Sequence, residues 1–331
     1  MRIVRHWQST PADARGAVVA IGNFDGVHLG HRAVVEKGRH IALALGAPLA
    51  VLTFEPHPRQ VLAAPDAPFR LTPFRVKARH LADLGIEILY VARFDRAFAA
   101  REPASFVADV VAAGIGARHV VVGHDFAFGR RRAGNVALLS EIGGPLGIGV
   151  TSIEAAGTGT EVHSASRARR LLAAGDVAAL PAVLGRYWEI DGHVITGDRR
   201  GRTIGFPTAN LRTAGILHPA RGVYALWAQP GGDAEGGHWY PAVANLGRRP
   251  TFDKTEDLLE VHIFDYAGDL YGKRLRAAFA DRVRPERRFD GIEALKAQIA
   301  DDCDTARAIL AHMPAPEAEE PDALPRRQVR S

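Results

Sequence analysis

The sequence predicts two domains, an α/β domain with a mostly parallel sheet followed by an antiparallel β-barrel or β-sandwich. Three observations support this fold class. The chain has 331 residues, which is more than one hydrophobic core usually organises. Short apolar segments alternate with helical periodicity in the first half. From residue 186 onward, short β-rich segments are separated by Gly- and Pro-rich turns.

Five apolar segments of the first half predict buried strands. They are "AVVAIGNF" (17–24), "APLAVLTF" (47–54), "IEILYVARF" (86–94), "ARHVVVG" (117–123) and "GIGVTSI" (147–153). Helical periodicity predicts helices at 30–46, 103–114 and 166–174, the last ending at Gly175. Strands that alternate with helices form a parallel sheet covered on both faces, and its ligands bind at the carboxyl ends of the strands.

Pro181 and Gly185 mark the predicted boundary, so that the first domain spans 1–185 and the second 186–312. Segments rich in Val, Ile, Tyr and Trp predict the strands of the second domain. They are "YWEIDGHVI", "GVYALWAQ", "WYPAVANLG", "LLEVHIF" and "KRLRAAFADRV". An amphipathic helix closes this domain, with Ile292, Leu295, Ile299 and Cys303 on one stripe. The Pro- and Glu-rich segment 313–331 predicts a disordered tail.

The composition excludes several classes of protein. The single cysteine excludes an internal disulfide and a Cys-rich zinc cluster, and favours a reducing, cytoplasmic compartment. We find no secretory signal and no apolar segment long enough to span a bilayer. The net charge is +5, but the basic residues are scattered among acidic ones, so small anionic substrates account for it as well as nucleic acid would. Because the basic residues form no long block, we expect no nucleic-acid partner. The sequence favours no oligomeric state.

The stretch "IGNFDGVHLGH" (21–31) follows the first predicted strand and raises three interpretations of His28 and His31. A turn from strand to helix points backbone N–H groups and the positive end of a helix dipole outward, which favours phosphate. Imidazoles there can donate hydrogen bonds to phosphate oxygens as charge develops. Alternatively, the His-x-x-His spacing could bind a metal, although no further ligand lies nearby in sequence. The histidines could also serve only as turn or cap residues.

Four blocks of the first half carry a resemblance to a known family. "GNFDGVHLGH" (22–31), "LTFEPHP" (52–58), "VVGHDFAFGRRRAGNVALL" (121–139) and "SASRARRLLAAGDV" (164–177) occur in this order. They resemble the α/β-phosphodiesterase nucleotidyltransferases, in the form found in bacterial FAD synthetases. That family transfers AMP from ATP to FMN and releases pyrophosphate. The four ordered blocks are more specific than the HxGH signature alone.

This resemblance implies that His28 and His31 are catalytic and contact the ATP phosphates, with Arg169 as a further phosphate ligand. Asp125 falls near the nucleotide and its metal. The implied nucleotide-binding residues are Gly22, Phe24, Gly26, His28, His31, Asp125, Ser164, Arg167 and Arg169. The basic segment "SRARR" (166–170) could instead be a solvated helix face. In the family's Ser-Ser-Thr-x-Ile-Arg segment this chain departs at Ala165, Ser166 and Ala168, and His163 replaces an apolar residue.

A second candidate site is predicted at "GDRRGRTIGFPTANL" (197–211). Its three glycines could let the backbone wrap phosphates. Thr208 and Asn210 offer neutral oxygens that suit Mg²⁺, although "PTAN" could equally be an ordinary turn. No P-loop motif and no dinucleotide-binding fingerprint occurs in the chain.

The second half resembles the riboflavin kinases through "PTAN" and four further blocks. These are "GVYAL" (222–226), "ANLGRRPTF" (244–252), "LEVHIFDYAGDLYGKRL" (259–275) and "RVRPERRFDGIEALKAQIADD" (282–302). The resemblance implies a six-stranded Greek-key barrel with a C-terminal helix. It also implies phosphorylation of riboflavin by ATP.

Glu260 has two interpretations. Strand periodicity places its side chain on the face of the strand opposite to Val261 and Ile263, where an exposed glutamate is expected. The resemblance implies instead that Glu260 is the general base for the ribityl hydroxyl, and that Thr208 and Asn210 hold Mg²⁺. The nucleotide- and flavin-binding residues of the kinase are then Gly201, Gly205, Pro207, Thr208, Asn210 and Arg284.

Together the two resemblances predict one chain that makes FMN from riboflavin and then FAD from FMN. ATP is the second substrate of each step, and Mg²⁺ is the cofactor. One rival hypothesis is another nucleotidyltransferase, such as a cytidylyltransferase, fused to an unrelated barrel. The other is an inactive protein that binds flavin or nucleic acid. The "PTAN" and Glu260 blocks oppose the first rival, and intact His28, His31, Asn210 and Glu260 oppose the second.

Overall fold

The computed structural model of the chain describes residues 1–63, 68–154, 157–158, 161–196, 205–213, 215–231, 237–250 and 255–316. It divides into two compact units. The first contains the described residues up to Ala165 apart from 68–71, and the second contains 68–71 and the described residues from Ser166 onward. The sequence-based domain boundary after residue 185 stays a prediction. Of the predicted tail, 317–331 lies outside the described residues.

The first unit is built on a six-stranded sheet in which all neighbouring strands are parallel. Its strands are β1 (Arg2–Val4), β2 (Val18–Ile21), β3 (Leu49–Glu55), β4 (Ile88–Arg93), β5 (His119–Gly123) and β6 (Gly149–Ile153), in the order β1-β4-β3-β2-β5-β6. A two-stranded antiparallel sheet, β7 (Gly157–Thr158) and β8 (Glu161–Val162), follows. The predicted parallel α/β domain is confirmed.

Helices connect these strands. They are α1 (Leu29–Leu45), α2 (Pro58–Leu62), α3 (Phe74–Asp83), α4 (Arg96–Ala99), α5 (Pro103–Ser105), which continues as a π-helix at Phe106–Ile115, and α6 (Val136–Gly143). Short 3₁₀ turns lie at Trp7–Ser9, Ala12–Ala14, Arg130–Arg132 and Gly144–Leu146. Side chains of β2 alternate between two cores: Val19 packs with the cluster of Val110, and Val18 with the cluster of Val35. Burial on both faces explains the continuous apolar run of this strand.

The strand order reverses next to β2. From β2 the chain continues to β3 and β4 on one side, whereas β5 and β6 lie on the other. The loops that leave the carboxyl ends of β2 and β5 therefore diverge, and such a switch point forms the usual ligand crevice of an open α/β sheet. The loop after β2 leads to His28, the N-cap of α1, and His31 lies in the first turn of that helix.

The second unit contains a closed barrel of six antiparallel strands, which excludes the sandwich alternative. The elements are α7 (Ala165–Ala174), α8 (Pro181–Leu184), β9 (Trp188–Ile195), β10 (Ala209–Arg212), β11 (Gly222–Pro230), β12 (Tyr240–Pro250), β13 (Thr255–Ile263), β14 (Arg274–Pro285) and α9 (Ile292–Ala311). The strand order is β10-β13-β12-β11-β14-β9. The predicted barrel and C-terminal helix are confirmed.

Helix α9 packs on the barrel through its C-terminal half. Cys303, Ala306 and Leu310 are buried against barrel residues that include Phe264, whereas Ile292 is 51% exposed. The predicted stripe was therefore wrong at its first residue, because periodicity sets the phase of an apolar stripe but not the point where contact begins. None of the described helices is long and apolar enough to cross a membrane.

Candidate active sites

The loop between β2 and α1 has an unusual backbone. Phe24, Gly26 and Val27 have φ angles of 50°, 81° and 42°. Positive φ is uncommon for residues other than glycine, and it persists where the surrounding structure over-determines it. The side chains of Phe24 and Val27 are each 1% exposed, so apolar burial helps to fix the loop.

His28 is the N-cap residue of α1. Its Nδ1 accepts a hydrogen bond from the backbone N–H of His31 at 3.3 Å. The two imidazole rings stack with centroids 3.7 Å apart, and Phe24 lies 4.8 Å from the His31 ring. His28 therefore caps α1, and the interpretation that it serves only as a cap stays open. The stack also brings both imidazoles to the positive end of the α1 dipole, where an anion is stabilised.

Gly30 is needed for this packing. A Cβ atom at Gly30 would lie 2.8 Å from the backbone oxygen of His163 and 3.0 Å from Nδ1 of His28. The first distance is shorter than real Cβ contacts and the second is at the tight end of their range, so close packing favours glycine at position 30. The same contact brings the backbone that precedes Ser164 to the first turn of α1. The sequence had marked His163 only as a departure from the family pattern.

The metal interpretation of the two histidines finds no support. Among the residues that the structure describes, no group of three or more His, Cys, Asp or Glu side chains is arranged to hold a metal ion.

Three other residues predicted to bind the nucleotide, Gly22, Asp125 and Ser164, belong to the first unit. Asp125 is exposed just after β5, the neighbour of β2, and a Cβ at Gly123 would lie 3.1 Å from its Oδ1. Gly22 donates its backbone N–H to the Leu52 carbonyl at 3.1 Å. Ser164 is half-buried just before α7.

Arg167 and Arg169 belong to the second unit and are half-buried on α7. Arg169 donates from Nε to the Phe69 carbonyl at 2.8 Å, and its guanidinium lies 5.5 Å from the Phe69 ring. Their roles as nucleotide ligands stay predictions.

In the barrel, three polar residues lie side by side on neighbouring strands. Glu260 on β13 is directly opposite Asn210 on β10 and Asn245 on β12. Directly opposite residues of an antiparallel pair point to the same side, with Cβ atoms about 5 Å apart. The "PTAN" motif and the candidate base therefore lie next to each other. Asn245 is within one of the resemblance blocks, but its pairing with Glu260 depends on strand register, which the sequence did not give.

His262 fixes the "PTAN" segment from the same strand as Glu260. Its Nδ1 lies 2.8 Å from the Pro207 carbonyl oxygen, and its ring contacts Phe206 edge to face at 5.8 Å. Gly205, just before this segment, has a φ angle of 91°. Gly201 lies outside the described residues.

Asn210 has the character of a ligand-binding residue. Its side chain is buried, with 6% exposure, and within the described part of the chain its Oδ1 has no hydrogen-bond partner. A buried acceptor without a partner costs about 1–3 kcal/mol. A neutral amide oxygen of this kind suits Mg²⁺. Thr208, two residues earlier, is half-buried.

Arg284 has a strong contact that the sequence did not predict. Its Nε and Nη2 donate to the two carboxylate oxygens of Asp302 on α9, both at 2.7 Å, and its guanidinium lies 5.5 Å from the Phe289 ring. This bidentate pair joins β14 to α9, and it gives Arg284 a structural role besides the predicted contact with flavin.

Comparison with known proteins gives matches to both halves. The FAD synthetase family model matches residues 10–167, and the riboflavin kinase model matches residues 184–310. The bifunctional riboflavin kinase/FMN adenylyltransferase of Escherichia coli K12 is 39% identical over 308 residues, covering 93% of this chain and 97% of the relative. The chain belongs to the bifunctional riboflavin kinase/FMN adenylyltransferase family. The identification made from the motifs is confirmed, and the rival fusion with an unrelated barrel is excluded.

Two further matches also cover most of the chain. The enzyme of that family from Bacillus subtilis 168 is 38% identical over 292 residues, covering 86% of this chain and 90% of the relative. A crystal structure described as a macrolide-efflux protein from Streptococcus pneumoniae has a TM-score of 0.80 and 29% identity, covering 92% of this chain and 98% of that one. Similarity therefore extends over both units.

Replacing Ala165 with serine is expected to leave FAD formation unchanged or to raise it. Ala165 is the half-buried first residue of α7, next to Ser164, and the family pattern has a hydroxyl at this position. The rate of FAD formation from FMN is the measurement, and Ala173→Ser on an exposed position of α7 is the control. A clear drop in the folded Ala165→Ser protein alone would show that this segment packs differently from the family pattern.

Proposed function

We propose that the barrel phosphorylates riboflavin to FMN and that the α/β unit adenylylates FMN to FAD, with ATP as the second substrate of each reaction. The alignment of Asn210, Glu260 and Asn245 across β10, β13 and β12 supports the kinase assignment. The stacked imidazoles of His28 and His31 at the start of α1 support the adenylyltransferase assignment. Residues 1–185 are assigned to the adenylyltransferase and 186–312 to the kinase. The partners are the small molecules riboflavin, FMN and ATP, without nucleic acid or membrane, in a reducing cytoplasmic compartment.

In the kinase reaction Glu260 acts as the general base. Its carboxylate accepts the proton of the terminal ribityl hydroxyl while the hydroxyl oxygen attacks the γ-phosphorus of ATP, and ADP leaves. The half-buried position of Glu260 between two amides favours a fixed orientation of the carboxylate. Thr208 and Asn210 would hold Mg²⁺, which when bound neutralises phosphate charge. The buried Oδ1 of Asn210 supports this assignment.

In the adenylyltransferase reaction the protein supplies positioning and charge stabilisation. A phosphate oxygen of FMN attacks the α-phosphorus of ATP, and pyrophosphate leaves. His28 and His31 donate hydrogen bonds to phosphate oxygens, and the N-terminus of α1 stabilises the same charge. Arg169 and Arg167 add guanidinium groups suited to phosphate. Gly22, Phe24 and Gly26 shape the loop that approaches the nucleotide.

Incubating the full chain with riboflavin, ATP and Mg²⁺ and separating the flavins by chromatography tests the proposed function. We expect FMN to accumulate first and FAD to follow, with one pyrophosphate released per FAD. Asn210→Ala should lower FMN formation by about tenfold or more and raise the Mg²⁺ concentration required, since this change removes one oxygen ligand. FAD formation from supplied FMN is the internal control. Flavin binding without turnover would support the inactive binding protein instead.

A further inference from the structure

A fully buried lysine lies behind the adenylyltransferase loop. Lys77 on α3 is 0% exposed. Its Nζ is 2.8 Å from Oε1 of Glu55 at the end of β3. It also donates to Oγ1 of Thr53 at 3.3 Å and to the backbone oxygen of Asn23 at 3.1 Å. The first two partners lie on one strand, and the third begins the loop that contains His28.

A buried ion pair is costly to retain for stability alone. Removing an ammonium and a carboxylate from water is unfavourable, and well-packed apolar residues of similar volume often replace such a pair without loss of stability. The Glu55, Thr53 and Asn23 partners lie in the first unit, which has apolar cores on both faces of its sheet. The placement of the pair beside the loop therefore calls for a reason other than stability.

The network holds the start of the loop. The Asn23 carbonyl accepts two hydrogen bonds, from Lys77 Nζ at 3.1 Å and from Thr53 Oγ1 at 3.0 Å. Phe24 follows directly with its positive φ. A second attachment lies just beyond: the backbone N–H of Thr72 donates to Asp25 Oδ1 at 3.1 Å. The strained backbone at Phe24 is thus fixed on both sides.

A displacement of Asn23 would be transmitted to His31 and His28 through Phe24. Phe24 is bonded to Asn23, and its ring lies 4.8 Å from His31, which stacks on His28 at 3.7 Å. The loop ends at His28, whose backbone begins α1. A displacement of about 1 Å at a reacting centre can cost about 10²-fold in rate.

We propose that Lys77, together with Glu55 and Thr53, is a positioning group of the adenylyltransferase site. It holds the Asn23 carbonyl so that the loop presents His28 and His31 to the phosphates of ATP. Lys77 does not itself touch substrate. The inference rests on the proposed function of the first unit.

The test compares the full chain with the double variant Lys77→Met/Glu55→Met. Replacing both charges leaves neither one buried alone, so the fold should be retained. We expect the kcat of FAD formation to fall by about 10- to 100-fold, with the KM for FMN within about threefold of wild type. Amide hydrogen exchange at residues 23–28 should become faster without substrate, and riboflavin phosphorylation should be unchanged. Lys37→Met, at an exposed position of α1, is the matched control.

FAD formation within threefold of wild type in the folded double variant would overturn the inference, as would a loss shared equally with riboflavin phosphorylation. If the double variant does not fold, Thr53→Val tests the same positioning role. It removes one donor to Asn23 and should lower the kcat of FAD formation at least threefold; an unchanged rate overturns the inference. Absence of FAD formation by the wild-type chain would instead contradict the proposed function.

Discussion

Replacing Glu260 with glutamine is expected to lower the rate of FMN formation by about 10²- to 10⁴-fold, the usual contribution of a positioned general base. The ribityl hydroxyl is a poor nucleophile while protonated. Glutamine keeps the size of the side chain and one acceptor oxygen but cannot accept the proton. Asn210 and Asn245 flank this position on β10 and β12, so the amide should be accommodated and binding of flavin and ATP should change little.

The same Glu260→Gln protein should form FAD from supplied FMN at nearly the normal rate, because we propose that this reaction uses His28, His31 and Arg169 instead. Glu293→Gln, on the exposed first turn of α9, is the control for the loss of a carboxylate. A kinase rate within about threefold of wild type would refute the assignment, since it corresponds to about 0.65 kcal/mol in the barrier. Loss of stability and of both activities together would instead indicate that Glu260 shapes the barrel.

Replacing His28 or His31 with alanine is expected to lower FAD formation by about 10²-fold or more, the scale seen when one donor to a transition state is removed. Conversion of riboflavin to FMN should survive. Both partial reactions are measured on each variant. Equal loss of both activities in a well-folded variant would contradict the proposal that the two reactions occur at separate sites.

The cap formed by His28 requires a matched variant. Alanine at position 28 also removes the side-chain acceptor of the His31 N–H, although the backbone oxygen of His28 at 2.8 Å is kept. Loss of an N-cap side chain costs about 1 kcal/mol of stability. His28→Asn keeps a good capping side chain and removes only the imidazole. If the ring acts on phosphate, the asparagine and alanine variants should lose FAD formation to a similar extent. Recovery of activity with asparagine would assign His28 a capping role alone.

Local patterns predicted the features that depend on nearby residues. The apolar run of β2 and the glycines of the following loop placed His28 and His31 at the end of a parallel strand. The helical periodicity of 166–174 predicted α7, and Gly175 follows it with a φ angle of 81°. These signals are strong because they arise from backbone geometry within one or two turns of chain.

Contacts between distant segments could not be predicted in this way. Asn245 meets Glu260 only through the register of β12 with β13. Lys77 reaches Asn23 across a separation of 54 residues. Arg284 binds Asp302 on the buried side of α9, where an amphipathic pattern predicts an apolar residue and not a carboxylate. Each of these contacts depends on how elements pack, which periodicity does not encode.

The most direct test of two independent sites is to mix the Glu260→Gln and His28→Asn proteins and supply riboflavin, ATP and Mg²⁺. Each protein alone should fail to make FAD from riboflavin, the first for lack of FMN and the second because FMN accumulates unused. The mixture should form FAD after a lag in which free FMN rises and then falls, because each protein supplies the site that the other lacks. A mixture that forms no FAD, although both proteins are folded and bind flavin, would contradict the account.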